Sequence, residues 1–375
     1  MYDTPRELPG RSQSPPRVCY VGGEYQSTPL GTMMVGQMYV EEYRPDERED
    51  RAKIVLVHGG GQSGTCWLVT PDGRPGWAYD LIDAGYIVYV VDQPGRGRSP
   101  WIRDAQGELS YHTVEFAEAK LTAVDRARGW PNADLHTQWP GSGLCGDPAF
   151  DSFFASQAPF ISEFAEMEAL FRSAAKALFD RIGPAAIVTH SQSGPLGWAA
   201  ADATPGKVWA VVALEPYGPP FASSTGQRKP NFYSASLDWG VACLPLTHSP
   251  RVDDPGVLRA LWEAGELTSV ASGVMLSNLR NVPALIVTGQ ASYHMEYDRR
   301  TGDYLRALGV TVDNCPLAER GIFGNGHMMM LERNSREIAL LVAEWLSKHR
   351  PSLGVGQVPD IGGEVLGGEG GADGD

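Results

Sequence analysis

Basic residues are scarce relative to acids in this 375-residue chain: 31 Lys and Arg against 45 Asp and Glu give a formal net charge of −14. That balance disfavours nucleic acid or an anionic membrane as the main partner, because both are held through a basic footprint that displaces counterions. Cysteine is sparse as well. Cys19, Cys66, Cys145, Cys243 and Cys315 are odd in number and without CxxC spacing, which fits neither a disulfide framework nor a zinc site and leaves free, mostly buried thiols. No apolar run approaches the ~20 residues of a membrane-spanning helix. The opening MYDTPRELPGRSQSPP lacks the basic and apolar regions of a secretory signal, so the expected location is the cytoplasm. No internal repeat is present. What remains is a protein whose partner is a neutral or apolar small molecule.

Hydrophobic residues make up 42% of the chain, with 10 Trp, 14 Tyr and 11 Phe, enough for a packed core. Residues 1–16 and the Gly-rich 351–375 read as disordered tails. Between them, 17–350 reads as one α/β domain. Val18–Glu24 and Met33–Tyr43 form an antiparallel pair; Lys53–His58, Tyr86–Asp92, Ala185–His190, Lys207–Leu214, Pro283–Thr288 and Val310–Cys315 are buried strands of a mainly parallel sheet. Phe164, Met167, Leu170, Phe171, Ala174 and Leu178 recur at helical spacing, and Gly183-Pro184 stops that helix. Asn334 with Glu337 predicts a capping box for the last helix. Two aromatic, Gly- and Pro-rich segments, at about 101–160 and 216–280, break the alternation. They are either irregular packing loops or a lid and pocket wall over one end of the sheet.

The stretch IVTHSQSGPLG, Ile187–Gly197, runs an apolar strand into a turn with two serines. A sharp strand-to-helix turn that exposes a nucleophile needs small residues two before and two after it. For Ser191 these are Thr189 and Ser193; for Ser193 they are Ser191 and Pro195, whose ring would crowd the turn. Ser191 is the candidate nucleophile, although Thr189 is β-branched where glycine is usual. Gly194 and Gly197 let the next helix approach the sheet.

A serine hydroxyl needs a histidine to take its proton and a carboxylate to orient that histidine, in chain order Ser, acid, His on this kind of sheet. His327, in the glycine-flanked GIFGNGHMMMLE after the last strand, is the candidate base; His248 lies within the second insertion and His349 ends the terminal helix. Glu215, directly after strand KVWAVVAL, is the favoured acid, with Glu296 and Asp298 in SYHMEYD as competitors. His58-Gly59-Gly60-Gly61 after KIVLV offers bare amides, and Gly60 N–H with Gln192 N–H forms the candidate oxyanion pair. Gly59, Gly61 and Gly64 also spell G-x-G-x-x-G, with Asp92 ending the next strand. Pro71, Gly73 and Pro75 prevent the long helix a nicotinamide cofactor requires there. A hydrolase-shaped binding protein without turnover would leave the Ser, Glu and His placement as coincidence. Asp92, Arg96, Arg98, Asp72 and Arg74 read as structural ion pairs and turns. Trp67, Trp77, Trp101 and Tyr217 either wall an acyl pocket or pack in the core.

With these residues in place, the chain resembles the α/β-hydrolase superfamily, and within it a subgroup of bacterial and fungal carboxylesterases with a Ser-Glu-His triad. The resemblance rests on VGGEY, QMYVEEY, HGGGQSGTCW, TPDGRPGW, VVDQPGRGRSP, LHTQWPG, THSQSG, VALEPYGPPF and GNGHMMMLERN, from about residue 20 to 348. It implies an α/β-hydrolase fold with cap insertions and cleavage of carboxylic esters of bulky apolar or aromatic small molecules through an acyl-enzyme. Water would be the second substrate, with no metal or organic cofactor. Ser191 matches the nucleophile, Glu215 the acid after strand six, His327 the base, and Gly60 and Gln192 the oxyanion donors. Thr before the His-Ser pair is usual in this subgroup, and its members are often secreted. A lactonase acting on a cyclic ester is the alternative activity.

Overall fold

The computed structural model describes residues 15–351, apart from 47, 49, 225–234 and 269–270. Nearly all of both expected tails lies outside the described residues.

Eight strands form one sheet: β1 (Arg17–Thr28), β2 (Gly31–Tyr43), β3 (Lys53–Val57), β4 (Ile87–Asp92), β5 (Ala185–His190), β6 (Val208–Leu214), β7 (Ala284–Thr288) and β8 (Val312–Pro316). Their spatial order is β1-β2-β4-β3-β5-β6-β7-β8. β1 pairs antiparallel with β2, and β2 antiparallel with β4; every other neighbouring pair is parallel. The parallel part is apolar along its whole length because both faces are covered, as the alternation in β3 shows. Val55 and Val57 face one core with Ile187, Val211 and Ile286; Ile54 and Leu56 face the other with Val188, Val212 and Val287.

Helices α1 (Trp77–Asp83), α2 (Pro148–Ala155), α3 (Phe164–Ile182), α4 (Gly194–Ala203), α5 (Pro255–Glu263), α6 (Asp298–Ala307) and α7 (Ser335–His349) surround this sheet. Phe164, Met167, Phe171, Ala174 and Leu178 of α3 pack on one face, while Trp77 and Leu81 of α1 and Ile338, Val342 and Leu346 of α7 pack on the other. Gly183, at φ +76, ends α3 where the sequence requires it. The expected capping box at α7 does not form: Asn334 gives no side-chain cap. Its amide instead exchanges hydrogen bonds with Asn325, tying the helix start to the preceding loop.

The first insertion folds into short helical turns at 103–106, 114–117, 118–122, 124–127 and 133–135, followed by α2. The second is mostly irregular, with α5 and a short antiparallel pair joining His248–Ser249 to Met275–Leu276. All five cysteines are unpaired; Cys66, Cys243 and Cys315 are buried.

Candidate active site

Parallel sheets open their functional clefts at the carboxyl ends of the strands, and four of those ends meet here. Ser191 follows β5 and Glu215 follows the neighbouring β6. Both are non-glycine residues in the left-handed region, at φ +54 and +48. Such conformations cost of order 1–3 kcal/mol each and persist only where the surroundings enforce them. Around Ser191 the enforcement is visible. Ser193 is fully buried; its Oγ accepts from His190 N–H at 2.8 Å and lies 3.0 Å from the Val57 and His190 carbonyls, so its hydroxyl fastens the turn rather than facing a substrate. Gly194 meets Pro216 so closely that an added Cβ would lie 2.4 Å from the proline Cβ.

His327 Nε2 lies 2.8 Å from Ser191 Oγ, and His327 Nδ1 lies 2.5 Å from Glu215 Oε2. Glu215 also accepts from Gly289 N–H at 2.7 Å and from Ser292 Oγ–H at 2.6 Å. Burial pushes the Glu215 carboxyl up from the usual carboxylate range; the Gly289 and Ser292 donors oppose that push, since they stabilise the ionised form. Burial, with His190, His294 and His112 nearby, holds His327 well below the ordinary histidine value, so its imidazole is neutral and able to accept a proton. A carboxylate that receives Nδ1–H leaves Nε2 as the acceptor for the serine hydroxyl.

The competing carboxylates are occupied or remote from this line. Asp298 Oδ1 lies 2.9 Å from His294 Nδ1 and its Oδ2 accepts from Thr288 Oγ1 at 2.7 Å, whereas Glu296 is exposed. Ligand atoms of Glu215, His294 and His327 lie within 4.8 Å of one another, close enough for a metal ion. Each of these atoms is already engaged: His294 holds Asp298 and Tyr297, and His327 holds Glu215 and Ser191. Glu215, His327 and Ser191 form one hydrogen-bonded line, and Asp298, His294 and Tyr297 form another stacked against it.

The loop that carries His327 is anchored by the buried Glu332. Its carboxylate accepts from Gly326 N–H at 2.9 Å and from Asn325 Nδ2 at 2.7 Å, and contacts His136 Nε2 of the first insertion at 2.8 Å. The His327 carbonyl receives Nε2–H of His190 at 2.9 Å. Neither Gly60 N–H nor Gln192 N–H is taken by another group among the described residues, and both residues line the cavity in front of Ser191. Behind them, the buried Arg96 guanidinium donates to the carbonyls of Gly59 (3.2 Å) and Gln62 (3.0 Å) and to Gln192 Oε1 (3.2 Å). One side chain thus ties the HGGG turn to the turn after β5.

The profile of the alpha/beta hydrolase family matches residues 54–339. The chain belongs to that family. A fungal protein named "Probable secreted lipase phiG", from Fungal sp. (strain ATCC 74256), is 40% identical over 340 residues, covering 88% of each chain. Among solved structures, a bacterial esterase described as novel superposes with a TM-score of 0.56 at 21% identity, over 91% of this chain and 99% of its own, and shares the fold. The relative's name gives no support to the expected cytoplasmic location; among the described residues no helix is long and apolar enough to cross a membrane.

In this alpha/beta hydrolase the cavity over Ser191 measures about 280 Å³, near the low end of the roughly 300–1,000 Å³ of small-molecule sites. Tyr217 lines it. Trp67 and Trp101 do not. Trp67 is wholly buried against Trp77 in the core, because its turn follows β3 inward, and Trp101 packs at the edge of the other core with Nε1–H donated to Gly107. The aromatic walls are instead Phe116, Tyr293 and Tyr297. Tyr293 and Tyr297 stand in SYHMEYD, a segment prominent in the sequence only for its acids. The G-x-G-x-x-G glycines lead into a single turn, Gly64–Trp67, and Gly64 N–H is taken by Asp92 Oδ1 at 2.6 Å. Asp92 is also paired with Arg98, and Arg74 binds the carbonyls of Glu332 and Arg333.

Proposed function

We propose that this alpha/beta hydrolase is a serine hydrolase of carboxylic esters. The observation that carries this reading is Ser191 at a strained φ of +54, with its Oγ 2.8 Å from Nε2 of the buried His327 at the wall of a small cavity. The 40% identical relative bears the name of a lipase, which supports ester cleavage as the reaction class.

In the proposed cycle, His327 Nε2 takes the Ser191 proton as Oγ attacks the ester carbonyl carbon. Glu215 holds the imidazole by Nδ1 and stabilises its charged form. The N–H groups of Gly60 and Gln192 receive the carbonyl oxygen as it becomes an oxyanion. The imidazolium then protonates the departing alcohol, leaving an acyl group on Ser191. Water enters, gives a proton to His327 and attacks the acyl carbon; the bond from that carbon to Ser191 Oγ then breaks, His327 returns the proton to Oγ, and the acid leaves. The same residues would open a cyclic ester, and product analysis with a lactone separates that alternative.

The residues of 101–160 and 216–280 act in this reading as the cap, since His112, Phe116, Lys120 and Leu121 from the first and Tyr217 and Gly218 from the second line the cavity. The test is hydrolysis of 4-nitrophenyl acetate or butyrate by the native protein and by Ser191→Ala. Loss of turnover in a folded variant is expected; turnover retained in Ser191→Ala overturns the assignment.

A further inference from the structure

Among the described residues the cavity has one lining residue with a fixed charge, Lys120, and neither Asp nor Glu lines it. In a chain with 14 more acids than bases this is the reverse of the overall balance. Lys120 lies in the π-helical turn Glu118–Thr122, a distortion that adds a residue to a helical turn and recurs at functional sites. The turn is braced at both ends: Glu118 Oε1 accepts from Cys145 N–H at 2.8 Å, and Thr122 Oγ1 donates to the Gly143 carbonyl at 2.6 Å.

The ammonium of Lys120 lies 5.0 Å from the ring centroid of Trp130 and 5.4 Å from that of Tyr293. Trp130 is itself fixed by Nε1–H donated to the Ala291 carbonyl at 2.8 Å, and the Trp130 and Tyr293 rings meet edge to face. Ring faces hold a cation in place without neutralising it. Among the described residues Lys120 has no carboxylate within ion-pairing distance. A cation held by two aromatic rings in the wall of the cavity, with its charge uncompensated, is a receptor for an anion.

Building on the ester-hydrolase reading, we propose that the substrate is a small ester that also carries a carboxylate, and that Lys120 binds this carboxylate while Ser191 attacks the ester. The carboxylate stands on the acyl part, as in a half-ester of a dicarboxylic acid, or on the leaving alcohol or phenol. Lys120 is a specificity residue and takes no part in proton transfer.

Two matched pairs of esters test this. 4-Nitrophenyl hydrogen glutarate against 4-nitrophenyl pentanoate places the charge on the acyl side; 4-acetoxybenzoate against methyl 4-acetoxybenzoate places it on the leaving side. The native protein is expected to favour the charged member of at least one pair in kcat/KM by about tenfold or more, through KM, as one charge-assisted hydrogen bond allows. That preference should shrink as salt is raised. Lys120→Met is expected to abolish it, so that kcat/KM for the charged ester falls about tenfold or more relative to its neutral partner, and Lys120→Arg to retain most of it. No preference for either charged ester in the native protein overturns the proposal, as does an equal loss on charged and neutral esters in Lys120→Met. Failure of the native protein to cleave any of the four esters overturns the ester-hydrolase reading itself, whereas neutral-ester cleavage without a charge preference overturns only the role of Lys120.

Discussion

The methyl group of Thr189 fits against the bare backbone of Gly197: a Cβ at position 197 would lie 2.9 Å from Thr189 Cγ2. Thr189 sits two residues before Ser191, where the turn calls for a small side chain, and the glycine one turn into α4 provides the room that a glycine at 189 would otherwise give. The bulk has moved across the contact from strand to helix. Alanine at a helix interior normally stabilises by about 1 kcal/mol relative to glycine, whereas overpacking costs about 1–3 kcal/mol. Because Thr189 is wholly buried, the clash should win. Gly197→Ala is expected to lower stability by about 1 kcal/mol in urea unfolding, and adding Thr189→Ser to recover it. A more stable Gly197→Ala protein would show that the contact yields easily.

Glu215→Gln replaces a carboxylate that receives three hydrogen bonds with an amide that must donate at one of its positions. If Glu215 is the acid of the proposed cycle, the expected result is a fall in kcat of about 10²-fold or more with KM little changed. Glu296→Gln, on the exposed surface, should leave kcat unaltered. Comparable losses in both variants would contradict the assigned acid.

In the proposed cycle, the histidine that takes the serine proton is active when neutral. Because burial lowers the His327 pKa, protonation sets in only below the ordinary value of 6.5. The acid limb of kcat/KM is therefore expected below pH 6.5, with full activity retained as pH falls to that point. A limb centred at or above 6.5 on a neutral ester would mean that the free protein does not lower the His327 pKa.

Arg96 touches no substrate in the proposed cycle, yet it fixes the carbonyls of Gly59 and Gln62 and the side chain of Gln192. Arg96→Met should free the HGGG turn. The expected signature is a drop of about tenfold or more in kcat with KM for 4-nitrophenyl acetate within about threefold, and partial recovery in Arg96→Lys. A purely structural arginine would lower thermal stability and leave kcat of the folded fraction unchanged.

Much of this arrangement was legible in the sequence because it depends on position along the chain. Strands buried on both faces appear as unbroken apolar runs, so β3 to β7 were bounded to within a residue or so. Ser191 and Glu215 directly follow such runs, and strand ends are where side chains reach the cleft. His327 was marked by its glycines, although the device that anchors its loop, Glu332 bonded to Gly326, Asn325 and His136, joins residues almost 200 positions apart and leaves no local trace. Side-chain direction in irregular segments was not legible for the same reason. Trp67 and Trp101 turn into the cores, while Phe116, Tyr293 and Tyr297 face the cavity, and nothing in the local sequence distinguishes the two groups. Asn334 has a favourable capping spacing, but tertiary bonding to Asn325 takes its amide.

The central claim is that Ser191 Oγ is the nucleophile. Reaction of the native protein with a fluorophosphonate, read by peptide mass, tests it without knowledge of the substrate. The account predicts a single adduct on the peptide containing Ser191, loss of ester hydrolysis in step with labelling, and no adduct in Ser191→Ala. An adduct that persists in Ser191→Ala, or full turnover in a protein that resists labelling, would contradict it.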